Sequence, residues 1–216
     1  MSKYYEMEYE MTQASKLIIS PHRFHGYIEM EDEVHSYLDP NHGTLGIQYF
    51  KGININKKDW EKHPYLILGS FQTSEQLGES ITFKKLVKST KLYPQSCDFF
   101  LNQDGTSSLG SWSNEPYNNE LMPAKLIGFK QLDEKQIGTK KVKNFLQKGY
   151  DKTAELPRHM KKAADEYEEN KIKGHVIKEE IFRPKFTTVT ASDAPQKHAI
   201  RKTQKNTRPL QYELEF

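Results

Sequence analysis

Apolar and acidic residues alternate at the start of the chain, in "YEMEYEM" (residues 5–11). This period of two predicts a strand with one buried face. Turn sequences such as "SPH", "DPNHG" and "HP" separate further short apolar runs. The other predicted strands are "KLIIS" (16–20), "HGYIEM" (25–30), "LGIQYF" (45–50), "YLILGSF" (65–71), "ITFKKLV" (81–87) and "AKLIGF" (124–129).

The stretch from Pro94 to Pro123 interrupts this pattern, because it is rich in glycine, serine and asparagine. We expect it to form a long loop or an excursion with little regular structure.

Between Asp133 and Gly174 the apolar spacing becomes helical. A first helix is predicted to end at Gly149, a typical C-terminal cap. A second is predicted to begin at Pro157 and to stop at Gly174. Their apolar faces comprise Val142, Phe145 and Leu146 in the first helix, and Met160, Ala163, Ala164 and Tyr167 in the second.

The segments "HVIKEEIF" and "FTTVTA" predict returning strands, whereas no apolar periodicity is left from Ser192 to Arg208. The predicted fold class is therefore α+β, with a mostly antiparallel, β-rich body, a helical pair near residues 134–173 and a basic, flexible C-terminal tail. The predicted organisation is a single α+β domain over 1–190 (β-rich over 1–130, helical over 131–174, returning strands over 175–190) and a tail over 191–216.

Composition fits one domain of 216 residues, with 35% apolar and 12% aromatic residues. No apolar run is long enough for a transmembrane helix, and the N-terminal sequence lacks the form of a signal peptide. The single cysteine, Cys97, excludes an internal disulfide and a cysteine-based zinc site, and a buried structural thiol is expected. We expect a cytoplasmic protein with no membrane partner.

Charge is distributed unevenly along the chain. The net charge is +3, but residues 1–40 carry eight acids and three bases, so the remainder carries +8. Lysine outnumbers arginine 27 to 5, and flexible point charges suit the phosphate backbone better than base edges. The excess of lysine is equally consistent with a solvated surface.

The segment "QIGTKKVKNFLQKGYDKTAEL" (136–156) resembles the second half of a helix-hairpin-helix DNA-binding motif. In that family, amides at a helix N-terminus face the DNA backbone. The resemblance implies phosphate contacts from the amides of Gly138 and Thr139, with Lys140 and Lys141 beside them. It covers about a tenth of the chain, and Gln136 replaces the first hairpin glycine. An ordinary capped helix is the alternative.

A second basic group lies in "FKKLVKSTK", which contains Lys84, Lys85, Lys88 and Lys91 and no acid. In either a strand or a helix these lysines form a basic patch, and the nearby Tyr93 could stack on an unpaired base. The alternative is a solvated sheet edge whose lysines discourage aggregation.

The tail combines a cationic arm with the alternating peptide "LQYELEF" (210–216). An arm of this kind gains affinity for nucleic acid by counterion release. The peptide either adds a strand to the body or docks on a partner through Tyr212, Leu214 and Phe216. Its general form resembles the docking tips of bacterial single-stranded-DNA-binding proteins. The cations are Lys197, Arg201, Lys202, Lys205 and Arg208.

Histidines are the candidates for enzyme chemistry, since His22, His25, His35 and His42 lie close together in sequence with Asp39. Such a cluster could hold a metal for hydrolysis, although its spacings match no motif of known mechanism. The segment "GTSSLGSWS" lacks the Gly-Lys-Ser/Thr ending of a phosphate loop. No catalytic dyad, metal ligand set or cofactor is predicted.

The leading hypothesis is a non-enzymatic accessory protein that binds nucleic acid through its phosphate backbone with little sequence preference. The alternative is a protein-binding inhibitor or adaptor of the type encoded by phages and plasmids, acting through the acidic N-terminal region or the C-terminal peptide. A metal-dependent hydrolase using the histidine cluster is the third hypothesis.

Overall fold

Antiparallel strands form most of the part of the chain that can be described. A computed structural model describes residues 2–11, 22–39, 43–56, 63–114 and 118–172. Within these ranges the elements are β1 (Lys3–Met11), β2 (His22–Met30), β3 (His35–Asp39), β4 (Gly43–Asn56), β5 (Tyr65–Ser74), β6 (Gly78–Leu86), β7 (Gln95–Leu101), β8 (Ser107–Asn114), β9 (Asn118–Gln131), α1 (Glu134–Thr139), α2 (Val142–Thr153) and α3 (Arg158–Ile172).

Eight of these strands close into an antiparallel barrel. Their order is β2-β1-β9-β8-β7-β6-β5-β4, and β4 pairs back with β2 from Phe24↔Asn56 to Met30↔Phe50. Since β4 has 14 residues, its first half also pairs with β3, which lies beside the barrel. The α+β class predicted from the sequence is therefore wrong: the fold is mostly β, with three short helices in the described ranges.

Alternation along the strands fills the barrel with large side chains. In β1, Met7, Tyr9 and Met11 point inward, as the period of two predicts, and the glutamates between them point outward. The Tyr9 ring lies 5.1 Å from the Phe24 ring and 5.4 Å from the Phe83 ring. The interior is consequently a packed aromatic core.

The seam that closes the barrel depends on two glycines. A Cβ on Gly26 in β2 would lie 1.9 Å from the Ile53 carbonyl oxygen, and one on Gly52 in β4 would lie 2.5 Å from the Tyr27 carbonyl oxygen. These distances are too short for any side chain, so the close approach of β2 and β4 requires glycine at both positions.

The helices cover one side of the barrel. Val142 and Leu146 of α2 are buried in a cluster with Tyr27 and Ile53, so the apolar stripe predicted for this helix is confirmed. Gly149 was predicted as a helix cap, and this is wrong, because it lies inside α2 and is buried.

The second predicted helix is α3, which begins directly after Pro157. Its Met160, Ala163 and Tyr167 are buried against β4, β5 and β6, as its apolar spacing predicts. The Tyr167 hydroxyl donates a hydrogen bond of 2.9 Å to the Phe50 carbonyl and ties α3 to β4.

The prediction of a long loop between Pro94 and Pro123 is wrong, because β7, β8 and the start of β9 lie there. Small residues in these strands make room for neighbours: a Cβ on Gly110 would lie 2.6 Å from the Phe99 ring. A short turn joins β7 to β8, and in it the backbone N–H of Thr106 donates a hydrogen bond of 2.9 Å to the Asp104 carboxylate.

Three predicted strands, "KLIIS", "HVIKEEIF" and "FTTVTA", lie outside the described residues, as does the tail. None of the helices in the described ranges has the length and apolar character needed to cross a bilayer.

Replacement of Gly149 by alanine tests how closely α2 packs on the barrel. A Cβ at this position would lie 2.4 Å from a side-chain carbon of Ile53. We expect Gly149→Ala to lower the free energy of unfolding by about 1–3 kcal/mol through overpacking, measured by urea denaturation.

Gly138→Ala is the matched control, since a Cβ there has open space around it. This change is expected to raise the free energy of unfolding by up to about 1 kcal/mol through helix propensity. Equal effects of the two substitutions would contradict the packing described for α2.

Candidate nucleic-acid interface

One side of α2 carries a row of exposed lysines. The row consists of Lys141, the N-cap residue, followed by Lys148 and Lys152. Spacings of seven and four positions place them along one side of the helix, and Lys148 and Lys152 are about 6 Å apart along its axis. No carboxylate among the described residues forms an ion pair with these three lysines. We call them the α2 lysine row.

A groove with an apolar floor lies beside this row, between α2 and the end of β4. Its volume is about 510 Å³. Lys148 and Lys152 form its rim. The floor residues of this α2 groove are Ile53, Ile55, Pro64, Phe145 and Gly149. An extended chain with apolar side chains on one face would match this floor.

A second groove, larger in volume at about 1040 Å³, lies at the other end of α2, against β1 and α1. It contains Lys3, Lys141 and Lys143 but also three acids, so its charge is mixed. The Lys143 ammonium lies 5.7 Å from the centre of the Tyr4 ring. This contact leaves Lys143 less available than the α2 lysine row.

The four phosphate contacts implied by the helix-hairpin-helix resemblance lie at the end of α1 or directly after it. Gly138 and Thr139 are exposed in the last turn of α1, where amides donate along the helix. Lys140 binds Glu6 of β1, and this hydrogen bond raises the pKa of the lysine above its usual value. Lys141 is exposed and has a left-handed backbone (φ 50°).

The four predicted contacts in the other basic group lie in four different environments. Lys88 is exposed and forms an ion pair of 2.9 Å with Glu155. The Tyr93 ring is 37% exposed and lies 5.4 Å from the His159 ring. Lys84 points away from the barrel interior but is only 6% exposed, while Lys85 is 1% exposed and points inward.

Helix α2 lies between the two basic groups predicted from the sequence. Lys141 lies at its start, and Glu155, three residues beyond Lys152, pairs with Lys88. Lys148 and Lys152 were not among the residues predicted from the sequence, although their i, i+4 spacing beside Phe145 was a usable signal. The predicted tail contacts, Lys197, Arg201, Lys202, Lys205, Arg208, Tyr212, Leu214 and Phe216, lie outside the described residues.

The three glutamates of β1 each contact basic side chains. Glu8 and Glu10 of β1 form ion pairs with Arg23 of β2, at 3.0 and 3.4 Å. Glu6 contacts both His25, at 2.8 Å, and Lys140. Cross-strand pairs of this kind are expected where opposite charges face each other on adjacent strands.

The histidines also lie in separate environments. His22 contacts the Asn56 side chain at 3.1 Å, whereas His25 contacts Glu6. His35 packs on the Tyr49 ring and lies in β3, which pairs with the first half of β4, whereas β2 pairs with its second half. His42 lies outside the described residues, within which no group of three potential metal ligands occurs.

Lys85 is the most unusual side chain inside the barrel. Its ammonium nitrogen lies 3.3 Å from the centre of the Phe24 ring, 4.5 Å from that of Tyr65 and 5.5 Å from that of Tyr9. The sulfur of Met11 is 3.2 Å away. Burial lowers the pKa of Lys85 to about 7, because the charged form is desolvated. Cys97, predicted as a buried thiol, lies in the same interior.

Comparison with protein-family models, curated proteins and solved structures finds no match to this chain. The interpretation of the interface therefore depends on its geometry and charge.

The lowered pKa of Lys85 predicts a specific dependence of stability on pH. Between pH 7 and about 9.5 the unfolded lysine holds a proton that the folded one has lost, so the free energy of unfolding rises with pH. The slope contributed by this lysine is at most about 1.4 kcal/mol per pH unit. The range ends there because burial raises the pKa of Tyr9 and Tyr167, which reverses the sign at higher pH.

Lys85→Met removes this titration and its desolvation cost. We expect the variant to have a free energy of unfolding about 1–3 kcal/mol higher at pH 7, with this difference shrinking as the pH rises towards 9.5. Urea denaturation at several pH values measures both. Lys91→Met, at an exposed position, is the control and should change stability by less than about 0.5 kcal/mol. A pH-independent effect of Lys85→Met would contradict the lowered pKa.

Proposed function

We propose that this protein is a non-enzymatic nucleic-acid-binding factor that holds the phosphate backbone along α2 with little sequence preference. The observation that carries the proposal is the α2 lysine row, whose exposed ammonium groups are unpaired within the described residues.

The chemistry of the row suits phosphate. Each lysine is a compact charge on a flexible stem, so it attracts phosphate oxygens without fixing their direction or reading a base edge. Lys148 and Lys152, about 6 Å apart, can reach neighbouring phosphates of one strand. Binding to them would release counterions and depend strongly on salt.

The position of α2 supports backbone contact rather than insertion into a DNA groove. Its apolar side, with Val142, Leu146 and Gly149, is buried against the barrel, so α2 can present only its outer side to a ligand. A rigid barrel beneath the helix holds the lysines in place before binding, which reduces the ordering cost. The residues Lys84 and Lys85 do not belong to the proposed interface, because both are buried.

The acidic N-terminal region gives less support to an inhibitor that masks a basic groove. Arg23 and Lys140 offset much of the charge on Glu6, Glu8 and Glu10, so little net negative charge is left to attract such a partner. The separated histidines likewise give no support to a hydrolase. A cytoplasmic location, where nucleic acid is accessible, belongs to the same proposal.

Neutralising the rim of the α2 groove tests the function. We expect Lys148→Gln/Lys152→Gln to weaken binding to labelled duplex DNA by roughly tenfold near 0.1 M salt and to reduce the log–log salt slope by about 1.8. Fluorescence anisotropy over a salt series measures both quantities, with single-stranded DNA and RNA run in parallel.

Lys161→Gln/Lys162→Gln is the matched control, since it removes the same charge from the exposed side of α3. It should leave the affinity within about twofold and the salt slope within about 0.5 of the parent. If both double variants weaken binding equally, net charge rather than the α2 lysine row is responsible. If the parent does not bind at low salt, the proposed function is wrong.

A further inference from the structure

We propose that residues 210–216 of this chain, "LQYELEF", dock in the α2 groove and compete with nucleic acid for Lys148 and Lys152. Docking itself is independent of the proposed function, and only the competition rests on it. The occupant is inferred from the apolar floor, the charge at the rim and the sequence of the segment.

The floor of the α2 groove requires an apolar face on its occupant. Ile55, Pro64 and Phe145 are partly exposed there, although apolar side chains on a surface are normally scattered. A nucleic-acid backbone would satisfy the rim but would leave this floor uncovered. An extended peptide with Tyr212 and Leu214 on one face would cover this floor.

The rim adds a requirement for two negative charges. Glu213 and Glu215 lie on one face of an extended segment, about 6.6 Å apart. Lys148 and Lys152 are separated by about 6 Å along α2. The spacings agree, and lysine stems are long enough to bring the ammonium groups above the floor to the level of the carboxylates.

Tethering favours this segment over a peptide from another protein. Helix α3 ends at Ile172 on the same side of the barrel, and both α2 and α3 contact β5. The chain from residue 173 to residue 209 spans up to roughly 120 Å when extended, so it can reach the groove. A tethered segment has an effective concentration of about millimolar, which suffices for a weak site.

The consequence would be a built-in competitor. Nucleic acid must displace the segment from the rim before it can use Lys148 and Lys152, so the apparent affinity is reduced by the docked fraction. The docked segment would then suppress weak contacts to the nucleic-acid backbone, which form with any sequence. Contacts strengthened by additional cations of the protein would be suppressed less. Docking would therefore raise the threshold for stable binding.

Photo-crosslinking in the full chain tests the docking. The variant Tyr212→p-benzoylphenylalanine is irradiated without nucleic acid, and the adducts are mapped by mass spectrometry. We expect crosslinks to Ile53, Ile55 or Phe145. The same probe at Gln211, on the opposite face of an extended segment, is the matched control and should give at least about fivefold fewer adducts at these residues.

A charge swap separates docking from a general effect on folding. Lys148→Glu/Lys152→Glu should reduce the yield of groove adducts about fivefold or more, and adding Glu213→Lys/Glu215→Lys should restore it. Failure of the second pair to restore the yield would overturn the proposed pairing. Adducts at other surfaces would overturn the docking site.

Mixed samples of isotopically light and heavy chains identify the source of the segment. Crosslinks within one chain support the proposal, whereas crosslinks between light and heavy chains would overturn it in favour of a second copy.

An excess of oligonucleotide, added before irradiation, tests the competition and should lower the yield of adducts. If oligonucleotide binds but the yield is unchanged, the competition is wrong. If oligonucleotide does not bind and the groove adducts persist, the proposed function fails while docking stands.

Discussion

The close approach of β2 and β4 is the contact on which the rest of the structure depends. It converts a sheet of eight strands into a closed barrel, and it is achieved only because Gly26 and Gly52 have no side chains. The same seam supplies the surface for α2, since Tyr27 and Ile53 lie against Val142 and Leu146. The position of the lysines on α2 is thus fixed by a backbone contact on the other side of the helix.

Much of the local structure could be predicted from the sequence, because single strands and helices are encoded by their apolar spacing. The alternation in β1 and the stripe on α2 are examples. Closure could not be predicted, since it depends on pairing between residues distant in the chain. The strand β8 was missed because Gly110 and its serine neighbours carry little strand propensity of their own, and Gly110 is required there by the bulk of Phe99 opposite.

The candidate interface, too, could be predicted from the sequence only in part. Clusters of lysine in the sequence do not equal clusters on the surface, since Lys84 and Lys85 are adjacent yet point to opposite sides of β6. Conversely, the glutamates of β1 are concentrated in sequence but are matched by Arg23 and Lys140 in space. Charge along a strand is therefore informative only when the neighbouring strands are known.

The small strand β3 has a consequence for the behaviour of the protein in concentrated solution. Closing a barrel removes sheet edges, but β3 lies outside the ring and pairs on one side with β4. No strand of the described residues pairs with its other edge, which could act as a template for another strand, and the exposed Val34 beside it would favour such an association. The strand is only five residues long and follows Asp32 and Glu33. Brevity and local negative charge protect this edge, so the colloidal stability of the protein should depend on these two acids more than on its net charge.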